Sequence, residues 1–253
     1  MFRSQSPVEQ GVGFGGEARP APSAPRCRQC LGRTLNICGP LDDPGLHQLL
    51  GLGATVRWSR GELVFRAGDR QGAFFKITKG IVAVSSTLHD GRRQILAFRV
   101  TGDIVGYLEK DGKYAFEGQA LTDVEACSFD RRRFDELVGR TPQLAAAVAA
   151  ALAAALTQTG HGLTVVGQLK STERLASFLA ELCALYQQRQ LLTTPLILNI
   201  NRDQIADYLG LTVETVSRSF KALKSRKVIA GNGRSGIAIL DARKLRSIAM
   251  EEG

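Results

Sequence analysis

The sequence predicts an α+β chain in three successive parts: an antiparallel jelly roll, one long helix, and a helix-turn-helix followed by a hairpin. Three observations carry this. Between residues 53 and 130, short β-rich pieces alternate with glycines at intervals of roughly ten residues, the spacing of turns in an antiparallel sandwich. From Leu144 onward, leucines and valines recur every four residues, the period of one helix face. Between Asn201 and Leu223 two capped amphipathic stretches meet at a glycine, as two helices joined by a tight turn do.

Residues 1–26 are rich in Gly, Pro and Ser and lack an apolar period, which predicts a flexible tail. A cysteine-bearing segment (27–45) follows and runs into Leu41-Asp42-Asp43-Pro44, a helix entry leading through Leu46, Leu49 and Leu50. The jelly roll is assigned to 46–138, with strands expected at 56–58, 63–65, 74–77, 81–86, 95–99 and 126–129. Glycines such as Gly61, Gly68 and Gly80 separate these pieces and supply positive φ where turns need it.

The long helix is assigned to 141–170, with Thr141 as its cap and Pro142 at its first position. Leu144, Val148, Leu152 and Leu156 open its stripe, and Leu163, Val166 and Leu169 continue it. A helix of about 28 residues reaches about 40 Å, more than a small domain needs. Leu152, Leu156, Leu163 and Val166 are therefore expected to pack against a second copy in a homodimer; a core helix lying on its own roll is the simpler alternative. Gly160, Gly162 and Gly167 weaken the helix, so it depends on what it packs against. A further helix carries Leu175, Phe178, Leu179, Leu182, Cys183 and Tyr186 on one face, and Cys183 is expected there as a small buried hydrophobe.

The C-terminal part (171–253) holds the run Asn201-Arg-Asp-Gln-Ile-Ala-Asp-Tyr-Leu-Gly-Leu-Thr-Val-Glu-Thr-Val-Ser-Arg-Ser-Phe-Lys-Ala-Leu223. Asn201 with Gln204 makes a capping box, Gly210 stops the first helix, and Thr212 caps the second. Val216, Phe220 and Leu223 point inward, leaving Glu214, Ser217 and Arg218 on the outer face. That trio suits base edges: Arg218 matches guanine O6 and N7, Glu214 accepts from cytosine N4, and Ser217 is tolerant. Thr212, Thr215, Lys221 and Arg202 are the candidate supporting contacts to double-stranded DNA, with Lys221, Lys224 and Arg226 serving the phosphate backbone. A solvated face with a local Glu214–Arg218 ion pair is the plain alternative. Residues 228–229 and 237–240 are expected to form the hairpin wing, after a strand-like piece at 196–200.

Charge agrees with a polyanionic partner. The chain carries a net +9, and from Arg218 to Lys227 it has five basic residues and no acidic one. No apolar run is expected to span a bilayer, since residues 145–156 are too short and too weakly hydrophobic. Without a basic-then-apolar leader, a cytoplasmic location is expected, and there thiols stay reduced. His47, His89 and His161 are scattered, no Ser-His-Asp or paired-carboxylate array occurs, and no enzymatic activity is expected.

Cys27-x2-Cys30-x7-Cys38, with Cys127 far downstream, has the short spacings that hold a metal, close a disulfide or do redox chemistry. The helix-turn-helix with Glu214-x-x-Ser217-Arg218 resembles that of the CRP/FNR family of bacterial transcription regulators, in particular its FNR/FixK branch. The runs Gly61-Glu-Leu-Val-Phe-Arg-Ala-Gly-Asp69 and Phe74-Phe-Lys-Ile-Thr-Lys-Gly80-Ile-Val-Ala-Val84 are similar to the β-roll of the cyclic-nucleotide-binding superfamily. The cysteine pattern resembles oxygen-responsive FNR-type proteins of the FnrN/FnrL/AadR group. This resemblance implies a [4Fe–4S] cluster on Cys27, Cys30, Cys38 and Cys127, with Arg26, Arg28 and Arg33 nearby to offset its charge. It also implies a dimeric activator on a TTGAT-N4-ATCAA-like palindrome, and RNA polymerase as a partner with residues 87–92 as a candidate contact. Four cysteines also suit zinc or a thiol switch, as in a FixK-like regulator without a cluster. A cyclic-nucleotide-binding module is the other alternative, but no arginine is expected to meet a cyclic phosphate in Gly102-Asp-Ile-Val-Gly-Tyr-Leu-Glu109 or Tyr114-Ala-Phe-Glu-Gly-Gln-Ala-Leu121, and Glu117 lies near that place.

Overall fold

Alternating apolar residues in the first half of the chain close into two antiparallel sheets of four strands each. A computed structural model describes residues 27, 29–191, 196, 199–231 and 236–250. A 3-10 turn (Asn36–Cys38) and helix α1 (Asp43–Leu50) lead into strands β1 (Gly53–Trp58), β2 (Leu63–Phe65), β3 (Ala73–Lys79), β4 (Val82–Thr87) and β5 (Arg93–Arg99). Then come β6 (Ile104–Val105), β7 (Glu109–Lys110), β8 (Lys113–Tyr114), β9 (Glu117–Ala120) and β10 (Val124–Asp130). One sheet has the order β1-β10-β3-β6, the other β2-β9-β4-β5, and β7 with β8 forms a separate hairpin. The six expected strands are present, most of them one to three residues longer at an end.

Strand β9 was not expected, although it lies inside the second sheet between β2 and β4. One of its two inward positions is Gly118, where an added Cβ would stand 2.5 Å from the Phe65 ring. The ring takes the space that a side chain would fill, so the apolar signal of the strand is missing.

The roll interior is packed by Trp58, Phe65, Phe75 and Tyr114. On the outer face of the first sheet, Phe74 and Phe129 meet Phe134 of helix α2 (Arg131–Val138), with Leu49 of α1 and Leu144 in the same cluster. Burying side chains of this size contributes about 1.5–3 kcal/mol each.

Helix α3 (Pro142–Gln168) is the long helix, and it is 27 residues in length. Thr141 stands at its N-cap position, but its side chain makes no capping hydrogen bond, contrary to expectation. Only Leu144, Ala147 and Val165 of this helix are buried. Leu156 and Leu163 are 74% and 71% exposed, with Leu152 and Val166 at 41% and 37%. The stripe is thus not consumed by the chain's own roll. By length and composition α3 also passes as a bilayer span, with a mean hydropathy of 1.3 over its most apolar 18-residue window, which corrects the expectation that no such segment exists. Gly160, Gly162 and Gly167 have no atom within 4 Å of where a Cβ would be.

The remainder comprises α4 (Ser171–Gln188), α5 (Arg202–Leu209), α6 (Val213–Ser225), β11 (Ile229–Gly231), β12 (Ile237–Ile239) and α7 (Ala242–Met250). Leu175, Leu179, Ile205, Leu209, Val216, Phe220, Leu223, Leu245 and Ile248 form its core, which continues without a break into Ile95 and Phe98 of β5. Cys183 lies on α4 but outside that core and only partly buried, so the expected buried position is corrected. The wing is present as β11 paired with β12, and Leu196 adds a single bridge to Ile237. The expected tail (1–26), Arg26, Arg28 and the wing tip at 232–235 lie outside the described residues.

Candidate functional site

The cysteine segment reverses through three successive turns, with Cys30 N–H donating to Cys27 O at 3.1 Å, Arg33 N–H to Cys30 O at 2.9 Å and Leu35 N–H to Gly32 O at 3.1 Å. Cys38 ends the 3-10 turn and is buried. Cys127 lies inside β10, its Cα paired with Thr55 of β1 on one side and Lys76 of β3 on the other. Burial foremost, then Cys38, Cys27 and Cys30, push the Cys127 thiol up to about 12, against the opposing charge of Lys76. Burial foremost, then Cys38 and Cys30, also raise Cys27, opposed by Lys76 and Arg33. The four thiols therefore feel one another across a single neighbourhood, although one of them comes from a strand distant in sequence.

Two cations shape this neighbourhood. Arg33 donates through Nη1 to Cys38 O and through Nη2 to Leu41 O at 2.7 Å, closing the segment onto itself. Lys76 is 2% exposed, and its Nζ donates to Gly32 O and Leu35 O, each at 2.7 Å. Sequence reasoning named Arg33 and missed Lys76. The signal was available: a lysine in Ala73-Phe-Phe-Lys-Ile77, a strand otherwise apolar on both faces, needs a buried partner.

Among the described residues, no three His, Cys, Asp or Glu side chains gather as they would around one metal ion. The side chains that converge here are all thiols, the donor set that a [4Fe–4S] cluster would take.

The second site lies on α5 and α6. Gln204 N–H donates to Asn201 Oδ1 at 2.8 Å and Asn201 N–H to Gln204 Oε1 at 2.9 Å, the reciprocal capping box. Gly210 takes the left-handed conformation (φ 61°) that ends α5. Thr212 Oγ1 accepts from Thr215 N–H at 3.2 Å and starts α6, and the two threonine hydroxyls lie 2.8 Å apart. Val216, Ser219, Phe220 and Leu223 are buried on α6. Glu214, Arg218 and Lys221 are exposed, and Ser217 and Thr215 are partly so. Arg218 Nη2 lies 2.5 Å from Glu214 Oε1, both side chains being more than 70% exposed (74% and 73%). An ion pair so open to water is worth little, so both groups are free to exchange partners. Arg202 differs from expectation: it is partly buried, with its guanidinium over the Phe220 ring at 4.2 Å, and it packs the two helices together.

A third set of contacts, not foreseen from the sequence, joins the two sites. Asn36 Nδ2 donates to Gly102 O at 2.5 Å, and a Cβ at Gly102 would lie 2.4 Å from Leu35 and 2.6 Å from Arg189. Asp103 in turn pairs with Arg189, the residue that ends α4. On the other edge, Arg93 Nη2 reaches Asp207 at 2.9 Å and Gln94 donates to the Asp207 and Tyr208 carbonyls. Phe98, Phe178 and Tyr208 pack beside them at tilted angles, with centroids 5.1 to 5.8 Å apart.

A cavity of about 240 Å³ lies between the roll and α3, lined by Phe65, Phe74, Phe98, Leu152, Arg99 and Arg189 among others. Two arginines line it, both from outside the stretches 102–109 and 114–121. Both are already engaged, Arg99 with Gln158 at 3.0 Å and Arg189 with Asp103 at 2.8 Å. Glu117 accepts from Ser85 at 3.0 Å and from Thr87 at 3.4 Å.

Comparison with known proteins matches residues 55–141 to a cyclic nucleotide-binding domain and residues 173–248 to a Crp-like helix-turn-helix domain. The nitrogen fixation regulation protein FixK of Bradyrhizobium diazoefficiens is 32% identical over 90% of this chain and 95% of its own length. The transcriptional activator protein FnrL of Cereibacter sphaeroides is 30% identical, over 87% of this chain and 90% of its own. Among solved structures, FixK2 from Bradyrhizobium japonicum superposes with a TM-score of 0.71 at 26% identity, over 79% of this chain and 99% of that one.

Proposed function

Because this chain belongs to the CRP/FNR family of DNA-binding transcription regulators, we propose that it is an oxygen-responsive activator of the FNR type that works in the cytoplasm as a homodimer. The observation that carries the reading is the convergence of four thiols from two separate segments on one sheet face. Cys27, Cys30, Cys38 and Cys127 hold a [4Fe–4S] cluster, which when bound supplies iron–sulfur bonds that oxygen attacks.

The chain's own residues do the rest. Three cysteines tether the segment and the fourth tethers β10, so the ligand set clamps one to the other. The segment bears through Leu35 and Asn36 on Gly102, and the adjoining Asp103 holds Arg189 at the end of α4. Leu152, Leu156, Leu163 and Val166 offer α3 an apolar face for its counterpart. Two copies of α6 then enter successive major grooves about 34 Å apart. Glu214, Ser217 and Arg218 read a TTGAT-N4-ATCAA-like palindrome, while Thr212, Thr215 and Lys221 hold the backbone. The exposed hairpin tip at 87–92 is the surface offered to RNA polymerase.

A thiol switch without metal fits less well. Raised pKa values keep Cys27 and Cys127 as neutral thiols, and a neutral thiol is a poor nucleophile. A cyclic nucleotide fits less well too, because the Glu117 carboxylate sits in the roll and the cavity's Arg189 is tied to Asp103. Anaerobic reconstitution followed by iron and sulfide analysis tests the proposal. Four irons per chain and operator footprinting that is lost in air are expected. Colourless, iron-free protein that protects the palindrome fully would end it.

A further inference from the structure

Lys76 is the least expected residue in the cysteine neighbourhood. It sits in the middle of β3, where every residue from Ala73 to Ile77 is buried. Its strand position places it beside Cys127 on the outer sheet face that also carries Phe74 and Phe129. Its Nζ takes the carbonyls of Gly32 and Leu35, both in the spacer between Cys30 and Cys38. One side chain thus fixes the loop that presents three thiols over the strand that presents the fourth.

The charge balance is more telling than the hydrogen bonds. Among the described residues no carboxylate pairs with Lys76, and its only polar partners are two neutral carbonyls. A buried cation without an anion is costly, and proteins retain one where an anion comes to it. An ammonium has three N–H donors, so the two carbonyls leave one unused. Its charge acts on both Cys27 and Cys127, one from the loop and the other from β10.

Resting on the cluster reading above, we propose that Lys76 is a positioning residue for the cofactor: its buried ammonium pins the 30–38 spacer over Cys127 and offsets the negative charge that four thiolates bring. The anion missing around Lys76 is the thiolate set itself. Supporting groups of this kind change metal retention by about 10- to 100-fold when removed.

The test uses full-length protein reconstituted under nitrogen with ferrous iron and sulfide, as wild type, Lys76→Arg, Lys76→Gln and Lys76→Met. Lys76→Met is expected to keep less iron and to lose its visible absorbance in air about tenfold faster or more. Its midpoint potential should move negative, because the more negative reduced state loses a nearby cation. Lys76→Arg should restore the potential. Lys76→Gln keeps donors for both carbonyls but no charge, so it should hold iron yet share the negative shift; it carries the test if Lys76→Met fails to fold. Wild-type retention, air lifetime and potential in the neutral variants overturn the role of Lys76 while leaving the cluster in place. A wild type that takes up no iron instead removes the parent reading.

Discussion

Arg189, at the C-terminal end of α4, reaches across to Asp103 in the turn after β5, with Nη2 2.8 Å from Oδ1 and the side chains only 13% and 11% exposed. The pair links the cysteine segment to the DNA-reading part, because the neighbouring Gly102 carbonyl accepts from Asn36. Arg189 Nε and Nη1 are buried without a partner, so the pair is only half satisfied on the cation's side. Asp103→Ala should therefore leave an uncompensated buried arginine and cost about 3 kcal/mol or more. Urea unfolding measures the loss, and a change under about 0.5 kcal/mol, as at ordinary surface sites, rejects the pair as a strut.

On α6 the outward residues should separate by role. Arg218→Ala is expected to cost about 1–3 kcal/mol and to relax preference at one guanine, whereas Lys221→Ala should weaken all sequences alike and reduce the salt slope by about one. Fluorescence anisotropy against a set of singly substituted operators at several salt concentrations distinguishes them. Identical profiles for the two variants would contradict the assignment.

Leu156 is 74% exposed in the protomer, so Leu156→Arg should leave protomer stability within about 0.5 kcal/mol. The same change buries a charge in a paired apolar seam, so dimer formation and operator affinity should fall together. Sedimentation equilibrium reads the first and footprinting the second. A dimer unaffected by Leu156→Arg places the seam elsewhere.

Cys127 gives a prediction in pH. Its thiol is raised from an ordinary 9.0 to about 12, so the folded chain holds that proton more tightly than the unfolded chain does. The resulting stability is fully present below pH 9 and is lost as pH rises toward 12. Metal-free protein should melt at falling temperature over that range, and Cys127→Ser should make the fall shallower. Tyr114, Tyr186 and Tyr208, also pushed up to about 12, add to the slope in both proteins, so the difference between them is the quantity to read.

The helix-turn-helix was legible in detail because its signals are local: Asn201, Gln204, Gly210 and Thr212 each act within four residues of their partner. Strands β1 to β5 and β10 were legible for the same reason, through runs of branched and aromatic residues. What escaped notice depends on residues far apart in sequence. Gly118 marks a strand only because Phe65 fills the space above it, and Lys76 belongs to the cysteine site only because β3 neighbours β10. Arg202 was a candidate DNA contact by sequence, and the Phe220 ring beneath it belongs to another helix. The link from Asn36 through Gly102 and Asp103 to Arg189 spans most of the chain and leaves no local trace.

The glycines at 160, 162 and 167 occupy open positions, with room for a methyl group at each within the protomer. Each gives up about 1 kcal/mol relative to alanine in a helix interior. A single base change converts a glycine codon to an alanine codon, so stiffer versions of this helix are one step away by mutation. On the oxygen-responsive reading proposed above, selection for constitutive, signal-blind variants in oxygenated culture should therefore find its answers here, far from any cysteine and any base.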